Sequence, residues 1–145
     1  MRRCGTAQLE VTMATGRGGA AAGSYSKTLA FRNVSSRTCT MYGYPGVSFV
    51  GGGTGRQVND PFGRRSEAAP ALVTLAPGGA AYVQVLFPSV DNYEPPTCRP
   101  VPVDGYRVYP PDETEAVFVA DPQRACSAQG TGVPQLWPAR PTAGS

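Results

Sequence analysis

Residues 81–87 read Ala-Tyr-Val-Gln-Val-Leu-Phe, and every second side chain of the stretch, from Ala81 to Phe87, is apolar. This period of two residues is typical of a β-strand with one buried face. Leu9–Met13 and Tyr25–Asn33 alternate in the same way, and stretches rich in glycine or proline separate these segments. Such punctuation favours a sandwich or a barrel, and no helical period appears over a useful length. The sequence therefore predicts an all-β protein, an immunoglobulin-like two-sheet antiparallel β-sandwich with about nine short strands.

Length and composition place the chain among single globular domains. Its 145 residues are 41% hydrophobic, which is enough for one core and too much for a disordered chain. The 18 glycines and 15 prolines exclude a helical bundle, because both residues interrupt helices. We expect one domain over residues 1–138 and a flexible tail over residues 139–145.

Four cysteines, Cys4, Cys39, Cys98 and Cys126, make an even count in a small, loop-rich chain. Such a count predicts two disulfides and an oxidising compartment. A zinc site is not expected, because the chain has no histidine and no closely spaced pair of cysteines. Four cysteines allow three connectivities. We favour Cys4–Cys39 with Cys98–Cys126, since each bond joins segments that can be neighbouring strands.

Charge and hydropathy exclude two classes of partner. The formal net charge of +3 is not gathered into a basic stripe, so no nucleic-acid partner is expected. No stretch approaches the roughly 20 apolar residues of a membrane span. The apolar run of a signal peptide does not follow Met1–Cys4. With two disulfides, we expect a secreted protein or one on the outer face of the cell envelope, with its leader removed and a lipid anchor possible in the full-length form.

The absence of histidine also bears on catalysis, because it removes the usual Ser-His and Cys-His pairs. We expect a non-enzymatic protein without cofactor or metal ion, and interpret Lys27 as a solvent-facing or edge-strand side chain. An alternative is a carboxylate-dependent extracellular hydrolase that uses Asp112, Glu113 and Glu115, which follow Pro110-Pro111. Another is a structural subunit that pairs with a second chain through an exposed strand edge.

Aromatic residues near predicted loops supply the candidate binding surface. Tyrosines on loops at one end of a sandwich offer a large contact area at low entropic cost. We expect a protein or cell-wall component to be recognised there, through Tyr42, Tyr44, Asn92, Tyr93, Tyr106 and Tyr109.

Several motifs resemble a known family. The most specific is Cys39-Thr40-Met41-Tyr42-Gly43-Tyr44-Pro45-Gly46-Val47-Ser48, preceded by Leu29–Ser35 and followed by Leu75–Ala81 and Tyr106–Pro111. Together they resemble the actinobacterial secreted domain of unknown function 4232 over about residues 4–137. The resemblance implies a secreted or lipid-anchored envelope protein with a β-sandwich and paired cysteines. Because the family brings no established activity, it implies no catalytic residue.

Overall fold

The computed structural model describes residues 2–15 and 23–143, and nearly all of their regular structure is β. Two 3₁₀ turns, Thr6–Gln8 and Val90–Asn92, and one short helix, α1 (Pro95–Cys98), accompany the strands. The strands are β1 (Leu9–Thr15), β2 (Ser24–Asn33), β3 (Cys39–Met41), β4 (Gly46–Gly51), β5 (Arg56–Val58), β6 (Gly63–Arg64), β7 (Val73–Leu75), β8 (Ala80–Pro88), β9 (Pro100–Tyr109), β10 (Val117–Cys126) and β11 (Gln135–Leu136). The all-β prediction is confirmed, with eleven strands in the described ranges instead of about nine.

Two main sheets form the layers of a sandwich-like fold. One has the strand order β1-β2-β8-β11-β6 and the other the order β10-β9-β4-β5. The sequence did not predict a third sheet, made of β3 and β7, or the parallel pairing of β11 with β6. Both features join very short segments whose two or three residues carry no detectable period.

The core lies between the main sheets and contains a cluster of aromatic rings. Four rings are stacked, tilted or edge to face, with centroids 4.9–6.1 Å apart: Phe49, Phe62, Phe87 and Tyr106. Tyr106 is fully buried, because it shares the inward face of β9 with Val108. Its expected place in a binding loop is therefore wrong.

The disulfides are the favoured pairs, Cys4–Cys39 and Cys98–Cys126. The first joins the N-terminal segment to the start of β3. The second joins α1 to the end of β10, where Cys126 is paired in register with Pro100 of β9. Each bond therefore closes one end of the sandwich.

Lys27 occupies a position other than the expected solvent-facing or edge one. Its strand, β2, lies between β1 and β8, and its Nζ is 2.5 Å from Oδ2 of Asp121 on the opposite sheet. Asp121 alternates with the buried Val119 along β10 and so faces inward, next to a shift of register after Ala120. Gly105 is paired with Ala120 there at a φ of +154°, and a Cβ on it would lie 2.0 Å from the Val119 carbonyl oxygen. The bulge thus lies next to an ion pair between the two sheets.

The first residues of the expected flexible tail are packed into the fold. Ala139 is buried, and its N–H donates to the Gly43 carbonyl. Arg140 and Tyr82 exchange two backbone hydrogen bonds of 2.8 Å. The ordered domain therefore extends past residue 138. Among the described residues, no helix is long and apolar enough to cross a membrane.

Candidate binding surface on the small sheet

The small sheet of β3 and β7 has one face in the core and one in solvent. Cys39 and Met41 point inward, as do Val73 and Leu75, with which they are paired. Because strand side chains alternate, Thr40 and its partner Thr74 lie on the opposite, outer face. This sheet is therefore a thin layer whose outer side is open to contact.

Two large apolar side chains continue this outer face. The antiparallel register ends at the Met41–Val73 pair, and Tyr42 and Leu72 are the next residues of the two segments beyond it. Their side chains keep 51% and 65% of their surface exposed. Such a pair on a rigid sheet is a more specific feature than apolar residues scattered singly.

The N-terminal segment adds a third backbone to the small sheet. The Thr40 N–H donates to the Arg2 carbonyl at 2.9 Å, and the Cys4 N–H donates to the Thr40 carbonyl at 2.8 Å. Arg3 therefore lies beside Thr40 and shares its outer face. We use "β3–β7 face" for the surface formed by Arg3, Thr40, Tyr42, Leu72 and Thr74.

A cleft of about 470 Å³ opens beside the β3–β7 face. It is lined by Arg2, Arg3, Gly5 and Gln8 from the N-terminal segment and by Arg37, Thr38 and Cys39 from the segment that enters β3. We call it the arginine cleft, after Arg2, Arg3 and Arg37. Its two segments are joined by the Cys4–Cys39 disulfide.

The three predicted residues nearest this surface have different environments. Tyr42 belongs to the β3–β7 face. Tyr44 is half-buried: its hydroxyl donates to the Arg65 carbonyl at 2.5 Å, and the Arg64 guanidinium lies 5.1 Å from its ring centroid. Tyr109 is partly exposed on the outer face of the four-stranded sheet, where it covers Gly46.

The other predicted binding residues lie elsewhere. The Asn92 side chain donates to the Gly23 carbonyl at 2.5 Å, at the end of the fold that holds the Cys98–Cys126 disulfide. Tyr93 lies next to Gly132 and Cys126 at the same end. Tyr106 is in the core. The six predicted residues thus do not form one surface.

Of the three carboxylates considered for hydrolysis, Glu113 connects its loop to the N-terminal segment. Glu113 accepts hydrogen bonds from the Thr6 N–H at 3.1 Å and from Nε of Arg3 at 2.9 Å. Burial would raise the pKa of Glu113, but these hydrogen bonds and the Arg3 charge outweigh it and hold the pKa below its usual value. A general acid needs the opposite shift. Asp112 and Glu115 are exposed, and the Glu115 carbonyl accepts from the Thr6 hydroxyl.

Both edges of the four-stranded sheet oppose pairing with another chain. The edge strand β10 carries the bulge, and the other edge strand, β5, has three residues. Bulges and short edge strands are common devices against edge-to-edge association.

A second cleft, of about 640 Å³, lies at the far end beside β5. Several of its polar side chains are engaged internally. Asn59 donates to the Cys126 and Thr131 carbonyls, and the Ser127 hydroxyl donates to the Arg99 carbonyl. The side chains of Asn59 and Ser127 are thus occupied within the protein.

Sequence reasoning missed Leu72 and the arginine cleft. The run Leu72–Leu75 indicates a strand but not which residues face solvent. Arg2 and Arg37 are 35 positions apart, and a disulfide and a parallel bridge bring their segments together. Only the preference for Cys4–Cys39 pointed to that neighbourhood.

Comparison with known proteins places the chain in a family. No curated protein and no solved structure gave a significant match. The profile of the family described as a domain of unknown function, DUF4232, matches residues 4–137. The matched range includes both disulfides and every residue of the β3–β7 face except Arg3. The chain therefore belongs to the DUF4232 family.

Proposed function

We propose that this protein is a non-enzymatic recognition module of an oxidising, extracytoplasmic compartment, and that it binds a protein partner through the β3–β7 face. The observation that carries the proposal is the exposure of Tyr42 and Leu72, which directly adjoin the last residue pair at the same end of the small sheet. Aromatic and apolar side chains at the centre of a patch, with polar residues around them, are typical of protein interfaces.

The scaffold beneath the pair favours binding. Met41 and Val73, the neighbours of Tyr42 and Leu72 in the chain, are buried in the main core. The Cys4–Cys39 disulfide fixes the start of β3. A partner therefore meets side chains on an ordered backbone, so little conformational entropy is lost on association.

Three observations support the proposed absence of catalysis and the proposed compartment. The chain has no histidine, and Glu113 is engaged by Thr6 and Arg3 in a way that favours its charged form. All four cysteines are in disulfides, which persist in oxidising environments.

The test is a pull-down with tagged, oxidised protein from envelope and secreted fractions of an actinobacterium, with mass spectrometry of the retained material. The informative variant is Tyr42→Ser with Leu72→Ser. The matched control is Val34→Ser, which removes a side chain that is 52% exposed, beyond the other end of β3. Tyr44→Ala is unsuitable, because Tyr44 holds the Arg65 backbone.

We expect one protein to be retained by the wild type and by Val34→Ser and lost with the double variant. Circular dichroism and thermal unfolding would establish that both variants are folded. Equal retention by the double variant would contradict the proposal. Retention of a cell-wall polymer in place of a protein would also contradict it.

A further inference from the structure

The arginine cleft is built on backbone that is held in place on both sides. The Arg2 carbonyl accepts from the Thr40 N–H at 2.9 Å. The Arg37 carbonyl accepts from the buried Asn33 side chain at 2.7 Å and from the Ser35 hydroxyl at 3.1 Å. The side chains of the cleft therefore extend from fixed points.

Positive charge in the cleft exceeds negative charge. Arg3 forms an ion pair with Glu113 at 2.9 Å, whereas Arg2 and Arg37 form none with the residues that the structure describes. Of the side chains that line the cleft, three are cationic and none is acidic. A concave surface lined by one sign of charge concentrates the field and attracts ions of the opposite sign.

Guanidinium groups define the chemistry of such a ligand. Arginine presents a planar fork of N–H donors that matches the two oxygens of a carboxylate. Thr38 adds a polar side chain to the same cleft, whereas the Gln8 side chain accepts from the Gly5 N–H and donates to Ser35. The cleft is thus suited to oxyanions with two or more acceptor atoms.

The position of the cleft links it to the proposed binding face. Thr38 lines the cleft, and Tyr42 lies four residues further along the same segment, which spans about 13 Å when extended. An extended segment of a partner can therefore place acidic groups in the cleft and an apolar side chain on Tyr42 and Leu72.

We propose that the arginine cleft binds the carboxylates of an acidic segment of the protein partner. This inference rests on the proposed function and specifies the partner's chemistry. The partner segment carries glutamate or aspartate residues next to an apolar anchor.

The test is a titration of ¹⁵N-labelled protein with hexaglutamate peptide, followed by the amide resonances of Arg2, Gln8 and Thr38. We expect saturable shifts with hexaglutamate, no shifts with hexaglutamine, and weaker binding as salt rises. Arg2→Gln with Arg37→Gln should weaken the binding at least about tenfold, because charged hydrogen bonds are lost.

The matched control is Arg56→Gln with Arg124→Gln, which removes the same charge from exposed positions outside the cleft. An equal loss of binding in this control would overturn the proposal, since it would reveal attraction by net charge alone. Inorganic phosphate that bound the same amides more tightly than hexaglutamate would also overturn it.

The pull-down separates this inference from the proposed function. One outcome is a partner that is lost with the Tyr42 and Leu72 double variant but retained by the Arg2 and Arg37 double variant. That result would refute the binding of an acidic segment in the arginine cleft and would still support the proposed function. Loss with both double variants would support both proposals. Cleft-dependent hexaglutamate binding without any retained protein would refute the protein partner.

Discussion

Tyr106 has a buried hydroxyl that is hydrogen-bonded inside the fold. Its ring packs among Phe49, Phe62 and Phe87, while its hydroxyl donates to Oδ2 of Asp121 at 2.6 Å and accepts from the Gln123 side chain at 2.7 Å. Burial, and then the hydrogen bond to Asp121, raise the pKa of Tyr106 well above its usual value of 10.0. The folded state therefore retains this proton where the unfolded chain loses it.

We expect the free energy of unfolding to fall as the pH rises above about 10, because unfolding then releases the Tyr106 proton. A single such group gives a slope of about 1.4 kcal/mol per pH unit. Tyr25, whose pKa is also raised by burial and then by Asp121, adds to the slope. The effect is measured by urea unfolding between about pH 8 and about pH 11, a range that includes the ordinary pKa of tyrosine.

The comparison variant is Tyr106→Phe, which cannot ionise. It should be less stable than the wild type at neutral pH, since Asp121 and Gln123 lose a partner, but its stability should fall less steeply in alkali. The same alkaline slope in both proteins would contradict the role assigned to Tyr106.

At the scale of elements, the small sheet depends on the disulfide at its edge. β3 has three residues, and it is fixed by β7 on one side and by the Arg2–Cys4 segment on the other. Cys4–Cys39 joins that segment to β3 covalently. The bond therefore supports both the β3–β7 face and the arginine cleft.

We expect Cys4→Ser with Cys39→Ser to lower the free energy of unfolding by about 3 kcal/mol and to speed hydrogen exchange at Thr40 and Cys4. Cys98→Ser with Cys126→Ser opens a loop of similar size and should cost a similar amount. It should leave exchange at Thr40 protected, because its bond lies at the other end. Equal exchange at Thr40 in both variants would contradict this assignment.

The central strands of the five-stranded sheet were predictable from the sequence, and the pairing of the shortest strands was not. β2 and β8 lie in the interior of a sheet, and their alternating side chains record which face is buried. β6 and β11 have two residues each, too few for a period. Tyr106 was misplaced for a related reason, since only the register with Phe49 of β4 identifies its inward face.

The candidate site was predictable in one residue, Tyr42. The rest of the β3–β7 face depends on contacts between distant segments. Leu72 is 30 positions from Tyr42 in the chain, and Arg3 is 39 positions from it. Spacing within a single segment carries no information about such neighbours. The disulfide preference was correct because it considered segments rather than single residues.

At the scale of the whole molecule, the Lys27–Asp121 ion pair connects the two main sheets. Lys27 on β2 and Asp121 on β10 retain 14% and 27% of their side-chain exposure. The Lys27 ammonium also lies 5.4 Å from the Phe87 ring centroid. Reduced contact with water strengthens the attraction between the charges.

A double-mutant cycle with Lys27→Met and Asp121→Asn should give a coupling energy of about 1–2 kcal/mol. The control is the pair Arg32 and Glu10, which are 3.8 Å apart with 55% and 60% exposure. Its coupling should stay below about 0.5 kcal/mol. Chemical denaturation of the single and double variants measures both, and a smaller coupling for Lys27–Asp121 than for the control would contradict this account.

The two disulfides also determine how the domain would respond to a pulling force. They bridge sequence separations of 35 and 28 residues. Tension applied at the two termini passes directly from Cys4 to Cys39 and from Cys98 to Cys126. β1, β2, β9 and most of β10 lie within these covalent loops, so they add no length when the chain is stretched. Tension would therefore draw out the stretch between the loops, which holds the apolar half of the binding face, and the segment after Cys126, while the strands inside the loops would keep their length.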